Sequence, residues 1–307
     1  MDVPFDGAAD VPLVSVFHLA YNQIDGLREA VEATLEQDNP NLEIVFSDDH
    51  STDGTFEALN EIVAAYDGPH DVRVYRNDEN LGIVGNFNTA IERTSGQLIV
   101  QCNGDDISRP DRVSRLVEMW QSAPDVLLVH STAQYLMRDG TEGRHLNVRP
   151  PHEFANSPHV YVVDLYYALG ASAAYDRRIF DFFGPVPNAA IVEDSVMPFR
   201  ARLLGQVLKS EEILVQLPPG GMSYVEEGEL PGEFRCMLNE IHYGNAKSFL
   251  ADLRKVQVPG QRRLVMICML LLVRNYMLKA GFEPALTATK PMLRAHVVPV
   301  LKRLLPR

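Results

Sequence analysis

Three acidic pairs in this chain stand where an apolar run stops. Asp105-Asp106 follows QLIVQCNG at 97–104, and Asp48-Asp49 closes LEIVFSDD at 42–49. Glu193-Asp194 opens the amphipathic stretch VEDSVMPFRARLLG at 192–205, which also carries Arg200 and Arg202. Tyr21-Asn22, after LVSVFHL at 13–19, is a polar counterpart. Neighbouring carboxylates repel, so such pairs need a cation or hydrogen-bond donors to stay ionised together. A divalent metal carrying a diphosphate supplies both positive charge and ligand oxygens. A carboxylate at a helix start suits a general base. Each cluster also has a plainer reading. DDHSTDGT puts Asp49, Ser51 and Asp53-Gly54 at calcium-loop offsets, but the twelfth position is Asn60 and a strand precedes the loop. Ser51 or Asp53 capping the next helix would leave the acids solvated. Asp105-Asp106 reads equally as a turn and cap ahead of Pro110, and Asp194 as an N-cap.

The elements that must position these residues alternate in type. Strands at 13–19, 42–49, 71–77 and 97–103 are separated by helical periods at 24–35, 51–66 and 80–96. PDRVSRLVEMWQ, from 110, opens a helix with proline. Repeated units of this size imply an α/β fold with a parallel sheet covered by helices on both faces, joined by right-handed crossovers. In such sheets ligands bind beyond the carboxyl ends of the strands, so the clusters after strands one, two and four should meet on one rim. From about 125 the pattern loosens. DVLLVHSTAQYLM reads as a further strand, TEGRHLNVRPPHEFANSPH as a long polar loop, and 170–217 as a second strand–helix section. After Gly220-Gly221 the chain turns helical at 233–255 and 261–280, which puts a boundary near 225.

Composition narrows the function. A net charge of −13 argues against a nucleic-acid partner. From Asp252 to Arg307 there are 11 Lys+Arg and 2 Asp+Glu, a charge of +9, leaving −22 on the first 251 residues. An acidic body with a basic tail suits contact with an anionic surface. Cys102, Cys236 and Cys268 are far apart and read as reduced residues of a cytoplasmic protein. The start, MDVPFDGAADVP, lacks the basic-then-apolar order of a signal peptide. LVMICMLLLV at 264–273 is about half of a membrane span. RRLVMICMLLLVRNYMLK and the final VVPVLKRLLPR have three readings: packing on the core, peripheral docking on the inner membrane face, or homodimer contacts. No GxxxxGK[ST] loop is present, and Gly82 and Gly85 lack dinucleotide spacing.

In order and spacing, VSVFHLAYN, EIVFSDDHSTDGT, RNDENLGIVGNFNTAIERTSGQLIVQCNGDDISRPDRV and IVEDSVMPFRARL resemble family-2 glycosyltransferases of the GT-A fold, over about residues 12–217. The resemblance implies a Rossmann-like, mostly parallel sheet flanked by helices. The GT-A domain would span 1–225, with nucleotide-sugar binding at 12–125 and the acceptor side at 126–225, followed by a helical extension at 226–307. It implies a nucleotide-diphospho-sugar donor and inverting transfer to a sugar or lipid-linked glycan, in surface polysaccharide or glycolipid synthesis. Tyr21 would flank the base and Asp49 would hydrogen-bond it, with Asp48 as neighbour. Asn80 and Gly82 would wall the nucleotide. Asp105 would hold the ribose or sit by the metal, and Asp106 would ligate Mn²⁺ or Mg²⁺. Asp194 would be the base, with Glu193 beside it, and GASAAYDRRIF (170–180) would form the acceptor-side loop. One departure is clear: many members read Asp-x-Asp-Asp where this chain has Asn103-Gly104-Asp105-Asp106. The absence of Ser/His/Asp or Cys/His signatures agrees with one-step inversion, which needs no enzyme nucleophile. The rival readings are a nucleotidyltransferase, which would need a basic strand-one loop where VFHLAYNQIDG has none, and a non-catalytic nucleotide-sugar or glycan binder.

Overall fold

The computed structural model describes residues 11–137, 139–146, 168–218, 232–258 and 260–279; for 232–239, 242, 263 and 274–279 it describes the backbone. Strands β1 (Val14–Ala20), β2 (Leu42–Asp48), β3 (Asp71–Arg76) and β4 (Leu98–Asn103) pair in parallel in the spatial order β3-β2-β1-β4. Helices α1 (Leu27–Leu35), α2 (Thr55–Ala64) and α3 (Gly82–Glu92) make the crossovers. In α1 the buried residues Leu27, Ala30, Val31, Thr34 and Leu35 recur at helical spacing, which lays one face on the sheet. Successive strand side chains point to opposite faces, and two separate cores result. Val14, Val16, Ile44, Phe46, Leu98 and Val100 pack on the side of α1 and α2. Phe17, Leu19, Val45 and Ile99 pack with Phe87 of α3 on the other. Burial on both faces explains why β1 and β2 read as almost continuous apolar runs.

The second half completes one mixed sheet. Its further strands are β5 (Ile107–Ser108), β6 (Val126–Leu136), β7 (Glu142–Leu146), β8 (Ala173–Asp176) and β9 (Gln206–Leu217). The order is β3-β2-β1-β4-β8-β6-β9-β5, with β7 paired to β6. The longer ladders are parallel, including β6 with β9, but β8 runs antiparallel to both β4 and β6. Four residues of sequence AAYD are too few to show a period, so this strand had no distinct signal. Pairing of β5 with β9 through Ile107 and Gln216 pins the chain immediately after Asp105-Asp106. Helix α4 (Arg112–Gln121) begins two residues beyond Pro110, and α5 (Arg177–Phe183) and α6 (Val196–Leu204) cover the second half.

Helices α7 (Gly232–Leu253) and α8 (Gln261–Lys279) close onto the core. Phe249, Leu253, Leu264 and Cys268 join the cluster of Phe17 and Phe87, and the Phe199 and Phe249 ring centroids lie 4.3 Å apart. Arg200 of α6 holds Asp252 of α7 through two contacts of 2.8 and 3.1 Å, both side chains buried. Arg200 also donates to the Gly184 and Pro185 carbonyls. Of the three readings of 262–279, packing on the core holds for Leu264, Val265, Ile267, Cys268 and Leu271, while Met269, Leu270 and Val273 stay exposed. Among the described residues no helix is long and apolar enough to cross a membrane. The boundary near 225, most of the loop at 141–159 and the final VVPVLKRLLPR lie outside the described residues.

Candidate active site

A cleft of about 520 Å³ opens at the carboxyl ends of β1, β2 and β4, where the topology predicts it. Tyr21, Asp49, Asn80, Gly82, Asp105, Asp106, Glu193 and Asp194 all line it. Asp48 does not line it. At the end of β2 side chains alternate, so one acid of the pair faces the cleft and its neighbour turns away. Asp48 Oδ2 accepts the Ser51 backbone N–H at 3.0 Å and lies 3.5 Å from Arg76 Nε, which makes it a support of the loop.

Asp49 is fixed by the start of α3. Its Oδ1 accepts from Leu81 N–H and Asn77 Nδ2, and its Oδ2 from Gly82 N–H, each at 2.9 Å. The carboxylate thus caps a helix that lacks a side-chain cap at its own N-cap residue, Leu81. Gly82 sits at φ 72°, a conformation that favours glycine, and Asn80 Oδ1 also accepts its N–H. Asp53 takes the capping role expected near α2, accepting Thr55 N–H at 3.0 Å.

The acid turn is held from below. Gly104 N–H donates to Leu19 O at 2.7 Å, and Asp106 N–H to Asn103 O at 3.0 Å. Gln23 Nε2 donates to Asp105 Oδ1 at 3.1 Å. A Cβ on Gly104 would fall on the Gln23 amide, so the glycine makes room for that contact. Burial, then the charge of Asp105, pushes the Asp106 carboxyl up to about 8, with Arg112 pulling the other way. Burial raises Asp105 too. Among the described residues no three acidic, His or Cys side chains converge to hold a metal by themselves. Two adjacent oxygen donors resisting joint ionisation still fit a hard divalent cation that completes its shell with phosphate oxygens.

Glu193 and Asp194 arrive from the loop before α6. Asp194 is not an N-cap: that position belongs to Ser195, which makes no side-chain cap. Asp194 Oδ1 instead accepts Gly170 N–H at 2.9 Å, from the segment just before β8. Glu193 Oε1 accepts from Gln101 Nε2 at 2.6 Å. Burial raises both carboxyls, and the charges of Glu193 and Asp106 raise Asp194 further. Sequence reasoning passed over Gln101 and Gln23, and gave Gly170 only as the first residue of the 170–180 loop. A glutamine inside the buried run LIVQCN was the one visible signal.

Residues 15–183, from β1 to α5, match the family model described as Glycosyl transferase family 2. The chain belongs to glycosyl transferase family 2. The matched region holds the acid turn and stops short of Glu193-Asp194, which the fold alone delivers to the same cleft. This family 2 member is 32% identical over 130 residues to the chondroitin synthase of Escherichia coli, across 42% of this chain and 18% of that protein. The curated relatives that it matches are spanned over less than half of their own lengths. Two solved structures share its GT-A-like fold. The mannosyltransferase PcManGT from Pyrobaculum calidifontis, in complex with GDP-Man and Mn²⁺, superposes with a TM-score of 0.56 at 18% identity, covering 92% of this chain and 80% of that one. S. aureus TarS 1–349 in complex with UDP-GlcNAc gives 0.60 at 16% identity, covering 86% and 72%.

Proposed function

We propose that this chain transfers a sugar, with inversion, from a nucleotide-diphospho-sugar to an acceptor hydroxyl in polysaccharide or glycolipid assembly. One observation carries the reading: Asp49, Asp105-Asp106 and Glu193-Asp194, from distant segments, line a single cleft at the strand ends. On the donor side, Tyr21, Asn80 and Gly82 wall the nucleotide. Asp49 Oδ1 already accepts two hydrogen bonds while Oδ2 accepts one, so Oδ2 keeps a position for a base N–H. Asp106, with Asp105 beside it, holds Mn²⁺ or Mg²⁺, a choice supported by the Mn²⁺ in the mannosyltransferase complex. When bound, the cation offsets the charge that develops on the leaving diphosphate. Asp194 lines the same cleft and takes the proton of the attacking hydroxyl, an aid of typically 10²–10⁴-fold. Donors bound by the structural neighbours are GDP-Man and UDP-GlcNAc, so the base and sugar are to be found by screening. The name of the chondroitin synthase supports a glycan acceptor. The basic end of the chain brings the enzyme to the inner membrane face, which liposome flotation of full-length and tail-truncated protein tests; equal failure of both to bind would end that idea.

The deciding experiment is thermal stabilisation by UDP-, GDP- and dTDP-sugars, with Mn²⁺ and with chelator. One sugar nucleotide is expected to stabilise only with metal. Asp194→Asn should keep that binding and lose transfer, and full turnover by this variant would reassign the base.

A further inference from the structure

The backbone ladder between β4 and β8 is short. It pairs Leu98 with Asp176, Ile99 with Tyr175 and Val100 with Ala174, and stops there. The next residue of β4 is Gln101, which is buried, and its side chain makes the connections that the ladder no longer makes. Its Oε1 accepts the Tyr175 hydroxyl at 2.8 Å. Its Nε2 gives one hydrogen to Asn103 Oδ1 at 3.1 Å and the other to Glu193 Oε1 at 2.6 Å. One amide thus spends both of its hydrogens tying the start of the acid turn to the loop of Glu193 and Asp194. Gly170 stands over this contact. A Cβ there would lie 2.5 Å from both Gln101 Nε2 and Glu193 Oε1, so the position carries glycine to let them meet.

The two sides of this tie are anchored differently. On the donor side, Gly104 N–H reaches Leu19 O, Gln23 holds Asp105, and Asp49 takes its three hydrogen bonds from Asn77, Leu81 and Gly82. None of these contacts runs through Gln101. The Glu193–Asp194 loop instead hangs on the segment before β8. Ala168 N–H donates to Asp194 O and Gly170 N–H to Asp194 Oδ1, each at 2.9 Å. Glu193 Oε2 is buried with no hydrogen-bond partner among the described residues, so the Gln101 amide is the donor that orients this carboxylate. Loss of the amide would leave the donor side in place and free the loop that carries Asp194.

We propose that Gln101 is a positioning residue for sugar transfer: it clamps the Glu193–Asp194 loop to the turn of Asp105 and Asp106, and so sets where Asp194 stands relative to the bound donor. This rests on the reading of Asp194 as base and of the acid turn as part of the donor site. The Gln101 amide is spent on three protein partners, so it acts through Asp194 rather than on a substrate. A general base works only within hydrogen-bond reach of the proton it takes, about 2.6–3.2 Å. A misplacement of about 1 Å can cost about 100-fold in rate. The clamp also accounts for a glutamine inside a buried strand, because an amide is tolerated there when its polar atoms are all paired. An apolar side chain would fill the same space and hold neither Asn103 nor Glu193.

The test uses the full chain with Mn²⁺ and either UDP-GlcNAc or GDP-mannose, whichever releases nucleoside diphosphate faster, with monosaccharides or water as acceptor. Gln101→Met keeps the volume and removes the amide. It should lower kcat about 10- to 100-fold while the donor KM, and the calorimetric Kd of UDP or GDP with Mn²⁺, stay within about threefold. Gly170→Ala pushes Gln101 and Glu193 apart and should lower kcat to a similar degree. The two changes remove one contact, so the double variant should fall no more than about threefold below the poorer single one. Hydrogen exchange without substrate reads the clamp independently of turnover. In Gln101→Met the amides of 190–196 should exchange about tenfold faster or more, with those of 77–82 at the wild-type rate. Wild-type kcat in Gln101→Met, a donor KM that worsens in step with kcat, losses that multiply in the double variant, or unchanged exchange at 190–196 would overturn the clamp. Turnover by Asp194→Asn would instead overturn the assignment of the base beneath it, whatever the exchange shows.

Discussion

Asp106→Asn should make the protein without ligand more stable while destroying its response to metal. The Asp106 carboxyl, about 8 in the folded chain against 3.8 ordinarily, is raised by burial and by Asp105. A carboxyl raised on folding lends its full stability below the unfolded value and loses it as pH rises towards the folded one. At pH 7 the gap above 3.8 is about three units, or about 4 kcal/mol at 1.36 kcal/mol per unit. The cleft admits water to part of this side chain, so about half of that, about 2 kcal/mol, is the expected penalty. An asparagine of the same shape has no ionisation to oppose. The variant should therefore melt about 3 °C above the wild type at pH 7, with the difference vanishing towards pH 4. Mn²⁺ with UDP or GDP reverses the order. Saturating ligand at 100 times its Kd adds about 2.7 kcal/mol to the wild type and little to the variant. Calorimetric melts of both proteins from pH 4 to 8, with and without ligand, measure this. A variant that is less stable at pH 7, or a difference independent of pH, would refute the account of a strained acid awaiting a cation.

Three further outcomes are expected. Asp252→Ala leaves the Arg200 guanidinium buried without its partner and should cost about 3–5 kcal/mol in denaturant unfolding, whereas Arg200→Met with Asp252→Leu should be near neutral. Burial holds His18 down at about 4, so its stabilising contribution is present above 6.5 and fades as pH falls towards 4. His18→Leu should flatten the stability–pH curve between 6.5 and 4 by about 1.4 kcal/mol per unit. Gly104→Ala would push the Gln23 amide off Asp105 and should weaken metal-dependent donor binding, read by titration calorimetry, with a small change in melting temperature.

Local signals carried much of this protein. Alternating strand and helix periods announced β1 to α4, because each helix buries one face and each central strand both. Acids placed directly after apolar runs marked the rim, since a strand's end is where its chain leaves the core. What lay beyond the sequence was orientation and partnership. Asp48 and Asp49 are equal as letters, and the side-to-side alternation of a strand decides that Asp49 meets the cleft while Asp48 supports a loop. Asp194 looks like a helix cap until Gly170 claims its carboxylate. Gln101 and Glu193 are separated by 92 positions, and they meet only in the folded sheet, where β8 slots between β4 and β6. The terminal helices are joined to the core by Arg200 and Asp252, 52 positions apart. Sequence by itself determined the elements and the chemistry available to them, because periodicity and residue type are local properties. Which side chains converge was decided by tertiary structure, because strand order, facing and long-range ion pairs exist only once the sheet has closed.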